Sequence, residues 1–286
     1  MDLMAELLDD LRAETESFET LLRPLGDDDW ERPTPAEGWA IRDQVSHLAW
    51  FDDAAVRAVT DPDGHRAALA ALSPPGGGPG DGPADGPGDG AGGGLADGGE
   101  GGWVDHLVRE ARGRTPAGLL AWFRTARARS IEVFATLGAR DRVPWYGPDM
   151  SAASFVTARL METWAHGHDV ADALGVTRPP TARLRHVASI GLRARPYSFA
   201  VRGLPLPAEP VRAELTMPDG TTWTGGPGDA ESVVRGPALD FCLAVTQRIH
   251  LSDTALEMTG HPAREWMEIA QAFAGPPGRG RAAVSG

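Results

Sequence analysis

The sequence predicts an α+β protein: an N-terminal four-helix bundle followed by a small α/β domain. Three observations predict it. Four segments carry apolar residues at spacings of three and four, the mark of amphipathic helices sharing one core. After Pro179 and Pro180 a period-two run with a turn signal replaces that spacing. With 42% hydrophobic residues in 286, there is enough apolar surface for both parts.

The first stripe is Leu3, Leu7, Leu8, Leu11, Phe18, Leu21, Leu22 and Leu25, ended by Pro24 and the acids Asp27, Asp28 and Asp29. A turn-rich connector from Thr34 to Trp39 leads to a second helix from Ala40 to Thr60, with Ile41, Val45, Leu48 and Val56 inward. Pro62 and Gly64 are expected to close it. Residues 73–102 are nearly all Gly, Pro, Asp and Ala, too poor in apolar surface to offset the entropy of ordering. That stretch reads as a disordered insertion, not as a phosphate cradle, since no Gly-Lys-Ser/Thr follows it. A third helical region begins near Trp103, with a strong segment after Pro116 and a stop at Gly138. Residues 144–148 read as a loop. A fourth helix runs from Ser151 to Leu174, closed by Gly175.

Beyond it come a helix from Thr181 to Arg193 and a proline-punctuated loop. A hairpin follows, with one strand from Val211 to Met217, a turn at Asp219 and Gly220, and a return strand from Thr221 to Thr224. Two short helices lie near Pro237–Ile249 and Pro262–Phe273. The expected division is a bundle over 1–178, an α/β domain over 179–275 and a flexible tail over 276–286.

The composition narrows the function. The net charge of −13 disfavours nucleic acid and anionic membrane surfaces. A single cysteine, Cys242, excludes an intrachain disulfide and a Cys-rich zinc site, and it reads as a core residue. No apolar run approaches the ~18 residues of a spanning helix, and the N-terminus lacks the pattern of a signal peptide. The expected location is the cytoplasm. There is no lysine and no asparagine, so all 27 basic residues are arginine, the codon usage of a GC-rich genome such as an actinomycete's.

The chemistry lies on the fourth predicted helix. Glu162 and His166 are four residues apart, hence about 40° apart around the axis, and aim at one point. Asp169 falls on the same side, to orient His166 or hold an arginine such as Arg159. His168 is rotated about 200° from His166 and faces elsewhere. His47, on the second helix, is the best third ligand. Two histidines and a carboxylate suit Zn²⁺, Fe²⁺, Ni²⁺ or Mn²⁺ and leave open positions for water or substrate. Read blandly, Glu162 and His166 are a surface pair and His47 a satisfied bundle histidine. Trp39 and Trp164 are expected to pack in the bundle, where either can line a pocket. His65, His106, His186, His250 and His261 are expected at the surface.

At these residues the sequence resembles a known family. The segment from Arg32 to Leu48, containing Thr34, Gly38, Trp39, Asp43 and His47, looks like the start of the DinB-like bundle of mycothiol-dependent maleylpyruvate isomerases. The run from Glu162 to Gly175 looks like that family's fourth-helix motif, and the part from Val211 to Phe273 is similar to its sterol-carrier-like α/β domain. The resemblance implies His47, Glu162 and His166 as ligands of a divalent metal, commonly zinc, with mycothiol as co-substrate. Gly260-His261-Pro262 departs from the family's Gly-Asp-Pro, and the insertion at 73–102 is a second departure.

A thiol on such a metal becomes a nucleophilic thiolate near neutral pH. Adding it to an activated double bond permits isomerisation; stopping there is S-transfer. The expectation is therefore a thiol-dependent isomerase or transferase. Its partners are a small-molecule substrate and a low-molecular-weight thiol, with Asp169 in a catalytic role, Arg248 (or Arg235) toward an anionic group, and a homodimer as candidate assembly. The rivals are a hydrolase, hydratase or cyclase using metal-bound water, and a non-enzymatic protein carrying a metal and an apolar ligand.

Overall fold

The structure is a computed structural model, and it describes residues 2–72 and 103–284. The predicted insertion at 73–102 lies outside the described residues. The chain divides into two units, Met1–Thr177 and Arg178–Gly286.

In the first unit, α1 (Leu3–Leu22), α2 (Ile41–Thr60), α5 (Pro116–Phe134) and α6 (Ala152–Leu174) form the bundle, with α3 (Pro62–Leu72) and α4 (Trp103–Ala111) beside α2. Each long helix starts on a side-chain oxygen that takes up an unpaired backbone N–H. Asp2 Oδ1 accepts from Met4 N in α1, Thr115 from Gly118 N in α5, and Ser151 from Ser154 N in α6. At α2 the cap runs backwards, with Asp43 Oδ2 accepting from Ala40 N at 2.8 Å. Gly175, at φ +66°, ends α6 in the left-handed conformation. The apolar stripes meet in one core of Phe18, Leu22, Ile41, Val45, Leu48, Leu119, Phe123 and Val170. α1 packs on α6, and α2 on α5.

Two local expectations are corrected. α2 ends at Thr60, just before Pro62 as expected, but Pro62 and Gly64 also open α3: proline fits the first helical turn, and Asp61 Oδ1 accepts from Gly64 N at 3.0 Å. As a result His65, expected at the surface, is buried at 2% exposure, with its ring stacked on Trp145 at 5.8 Å. The loop expected at 144–148 is a hairpin of β1 (Arg142–Trp145) and β2 (Gly147–Ser151), paired Val143↔Met150 with both side chains buried. Pro144 sits at its register shift, where no N–H is required.

In the second unit, β3 (Val211–Thr216), β4 (Thr222–Gly225), β5 (Ser232–Pro237) and β6 (Glu257–Thr259) form one sheet in the order β4-β3-β5-β6. The predicted hairpin is β3 and β4. β5 and β6 have no counterpart in the sequence reading, because β5 is buried at Ser232, Val233 and Val234 in succession and shows no alternation. The helices are α7 (Leu184–Arg193), α8 (Arg195–Ala200), α9 (Ala238–Val245) and α10 (His261–Ile269). α8 lies within the stretch expected to be a proline-punctuated loop, and Pro196 stands in its first turn. Phe241 and Trp266 meet in the core at 5.9 Å. Beyond Gly275, where a flexible tail is expected, Pro276 O accepts from Gln271 Nε2 at 3.1 Å and Val284 N donates to Asp253 at 2.8 Å.

Candidate metal centre

α2 and α6 lie side by side, and each contributes one face to a cluster. Turns of α6 bring Glu162 and His166 together, with His166 Nε2 3.1 Å from Glu162 Oε2. From α2, His47 Nε2 approaches the same oxygen to 3.8 Å. One ligand atom from each of the three residues lies within 4.8 Å of the others. Among the described residues this is a group able to hold a metal ion, and its members are the three singled out by helical spacing and resemblance.

The surroundings set the protonation. Burial, then the neighbouring His166, pulls His47 down to about 4, so it is neutral near pH 7. Burial pushes the Glu162 carboxyl up, but hydrogen bonds and attraction from His166 and His47 in their protonated forms outweigh it and hold the group well below the usual range. A neutral imidazole and an ionised carboxylate are the ligand forms that metal binding requires. The donor set fits a borderline divalent cation.

Rings wall the cluster. Trp39 stacks over His166 at 6.1 Å and 11°, and lies 5.3 Å from His47. Phe51, one turn after His47, approaches it to 4.6 Å. Trp39 thus borders the site, whereas Trp164 is buried in the bundle beside His168, at 4.3 Å between rings.

Two further residues hold His166 and Arg159. Asp169 is buried, but His166 is oriented by Gln44, whose Oε1 accepts from His166 Nδ1. Arg159 is held by Asp52, with Arg159 Nε donating to Oδ1 at 3.1 Å. Gln44 is the functional residue that the sequence reading missed. The signal was present: Gln44 is a polar residue inside the apolar stripe of Ile41, Val45 and Leu48, three before His47.

The remaining candidates lie in the second unit. The Arg248 guanidinium donates to Thr246 O at 2.5 Å and lies over the Phe273 ring. Arg235 pairs with Glu214 at 2.8 Å on the sheet. Burial pushes the Cys242 thiol well above its usual range, which suits a core residue and not a nucleophile. Among the described residues no helix is long and apolar enough to cross a membrane.

Comparison with known proteins bears on this arrangement. Residues 11–171 match the mycothiol maleylpyruvate isomerase N-terminal domain family. Two Mycobacterium tuberculosis sequences, from different strains and each described as an uncharacterized protein, are 46% identical over 272 residues, covering 95% of this chain and 96% of the relative. The fold is shared with the crystal structure of the mycothiol-dependent maleylpyruvate isomerase, at a TM-score of 0.55 and 17% identity over 90% of this chain and 95% of that one. A histidine-to-alanine mutant of that enzyme gives 0.54 and 15% over the same shares. The match over both helices of the cluster places the chain in the mycothiol maleylpyruvate isomerase family, through its N-terminal domain.

Proposed function

We propose that the bundle holds one divalent metal ion, zinc, on His47, Glu162 and His166, and that the protein is a mycothiol-dependent isomerase or S-transferase acting on a small activated substrate. The observation that carries this reading is the convergence of two imidazoles and one carboxylate from α2 and α6 within 4.8 Å. Family membership supports the thiol.

When bound, a divalent cation here would supply Lewis acidity, lowering the pKa of a coordinated thiol toward neutrality. The chain's own groups do the rest. His47 and His166 offer neutral nitrogens, and Glu162 offers the negative charge that favours a cation. Gln44 holds the His166 ring in one orientation. Trp39 and Phe51 cover the histidine faces and limit water at the cluster. Thiolate addition to an activated double bond converts it into a single bond. Rotation about that bond, followed by elimination, releases the isomer and returns the thiolate; uptake of a proton from water at the carbon left with the π pair, and release of the adduct, is S-transfer instead.

Two measurements test this reading. Metal analysis of the purified protein should find about one zinc per chain. His47→Ala and Glu162→Ala should each lose it; full retention in both would sink the site. Calorimetric titration with mycothiol should show binding that depends on the metal. Water-based hydrolysis would instead leave the thiol without effect.

A further inference from the structure

We propose that Gln44 is a positioning residue that dictates which nitrogen of His166 carries the proton, and that Thr34 and the Trp39 carbonyl dictate the orientation of Gln44.

The Trp39 backbone carbonyl can only accept. Thr34 Oγ1 lies 2.9 Å from it and must donate its single proton there. That leaves Thr34 Oγ1 with lone pairs alone for its second neighbour, Gln44, at 2.8 Å. The Gln44 NH₂ group therefore faces Thr34, and its carbonyl oxygen faces the other way, toward His166 Nδ1. An amide oxygen accepts only, so Nδ1 must be the protonated nitrogen. The lone pair of the neutral ring is then confined to Nε2, the atom beside Glu162 Oε2. Gln44 is fully buried, so no water competes for either end of its amide.

The consequence is electrostatic. A neutral Nε2 and a carboxylate oxygen 3.1 Å apart are two acceptors facing one another, and a cation shared between them relieves the repulsion. Were the proton on Nε2, the same pair would close as an ordinary hydrogen bond and compete with a metal. The relay thus biases the pair toward its metal-binding form before any metal arrives. The loop that supplies the first carbonyl also supplies the Trp39 ring stacked on His166, so one turn sets both the covering and the tautomer. That turn is closed by Thr34 N donating to the same Trp39 oxygen at 2.7 Å, and by Gly38 at φ +73°, a conformation that favours glycine.

The effect on metal affinity rests on the metal reading above; the tautomer does not. The test uses the full chain, apo and zinc-loaded, with ring nitrogens read by long-range ¹H–¹⁵N NMR at a pH where His166 is neutral, and zinc affinity read by chelator competition. Wild type should show His166 protonated at Nδ1. Gln44→Glu keeps an acceptor at that place and should retain both the tautomer and the affinity. Gln44→Met keeps the size but removes the acceptor; it should shift the proton to Nε2 and weaken zinc by about tenfold or more. Thr34→Val should give a mixture of tautomers and a smaller loss, and it carries the same test if Gln44→Met does not fold. A Gln44→Met or Thr34→Val protein with His166 still wholly protonated at Nδ1 would overturn the proposal. An apo wild type with the Nδ1 proton that nonetheless fails to bind zinc would overturn the metal reading and leave the positioning role standing.

Discussion

Asp52 and Arg127 form a fully buried ion pair at the centre of the bundle, with Arg127 Nε donating to Asp52 Oδ2 at 2.7 Å. Asp52 has no exposed surface, and its other oxygen accepts from Arg159. Arg127 also donates to Thr15 at 2.7 Å and Thr163 at 3.0 Å, while Arg159 donates to Leu48 O at 3.2 Å. The network therefore links α1, α2, α5 and α6. Asp52→Ala leaves two buried guanidinium groups without their shared carboxylate. We expect a loss of roughly 3–5 kcal/mol in denaturant unfolding, the range for a broken buried pair. Arg127→Met should cost less, since Asp52 keeps Arg159. Equal and small losses in both variants would show that the network contributes little.

Metal removal should lower stability by mass action. A ligand present at a hundred times its Kd adds about 2.7 kcal/mol to a fold that binds it only when native. Treating the zinc-loaded protein with a chelator should lower Tm, and added zinc should restore it. Glu162→Gln keeps the shape but removes the charge, so its Tm should not respond to zinc. A wild-type Tm indifferent to chelator would contradict a resident metal.

Stability should fall in acid through His65. Burial lowers its pKa from the usual value, with Arg57 and Arg66 adding to the effect. The unfolded chain therefore takes up a proton that the folded chain resists. The contribution is complete above the unfolded value of about 6.5 and is lost as pH drops below it toward the folded pKa. Between about pH 7.5 and pH 5, wild type should lose more stability than His65→Phe in urea unfolding. Parallel pH profiles for the two proteins would exclude His65 as the source.

Two glycines should separate backbone strain from steric clash. Gly175 has φ +66° with open space around it, so Gly175→Ala should cost about 1–2 kcal/mol through the left-handed conformation alone. Gly226 has φ +89°, and an added Cβ would stand 2.5 Å from Val211 O, a backbone atom that cannot swing aside. Gly226→Ala should therefore be the more damaging change in thermal unfolding. The opposite ranking would mean that β3 and its neighbour yield easily.

What the sequence determined by itself is what repeats along one element. The stripes of Leu3 to Leu22 and Ile41 to Val56 have a single periodicity, and burying them requires helices whatever their partners. Glu162 and His166 share a helix, so their convergence follows from a rotation of 100° per residue. Their union with His47 came from resemblance, because no local rule relates two separate helices. Only tertiary structure decided what crosses between elements. β5 escaped notice because successive burial erases alternation, and β6 because it is only three residues long. His65 was misplaced because Pro62 not only follows the end of one helix but starts the next. Gln44 emerged as the orienting partner of His166, and Asp52 as that of Arg159, because both pairs join side chains more than a hundred residues apart. Hydrogen-bond direction along Trp39, Thr34, Gln44 and His166 exists only once those distances are known, since polarity passes through contacts and not along the chain.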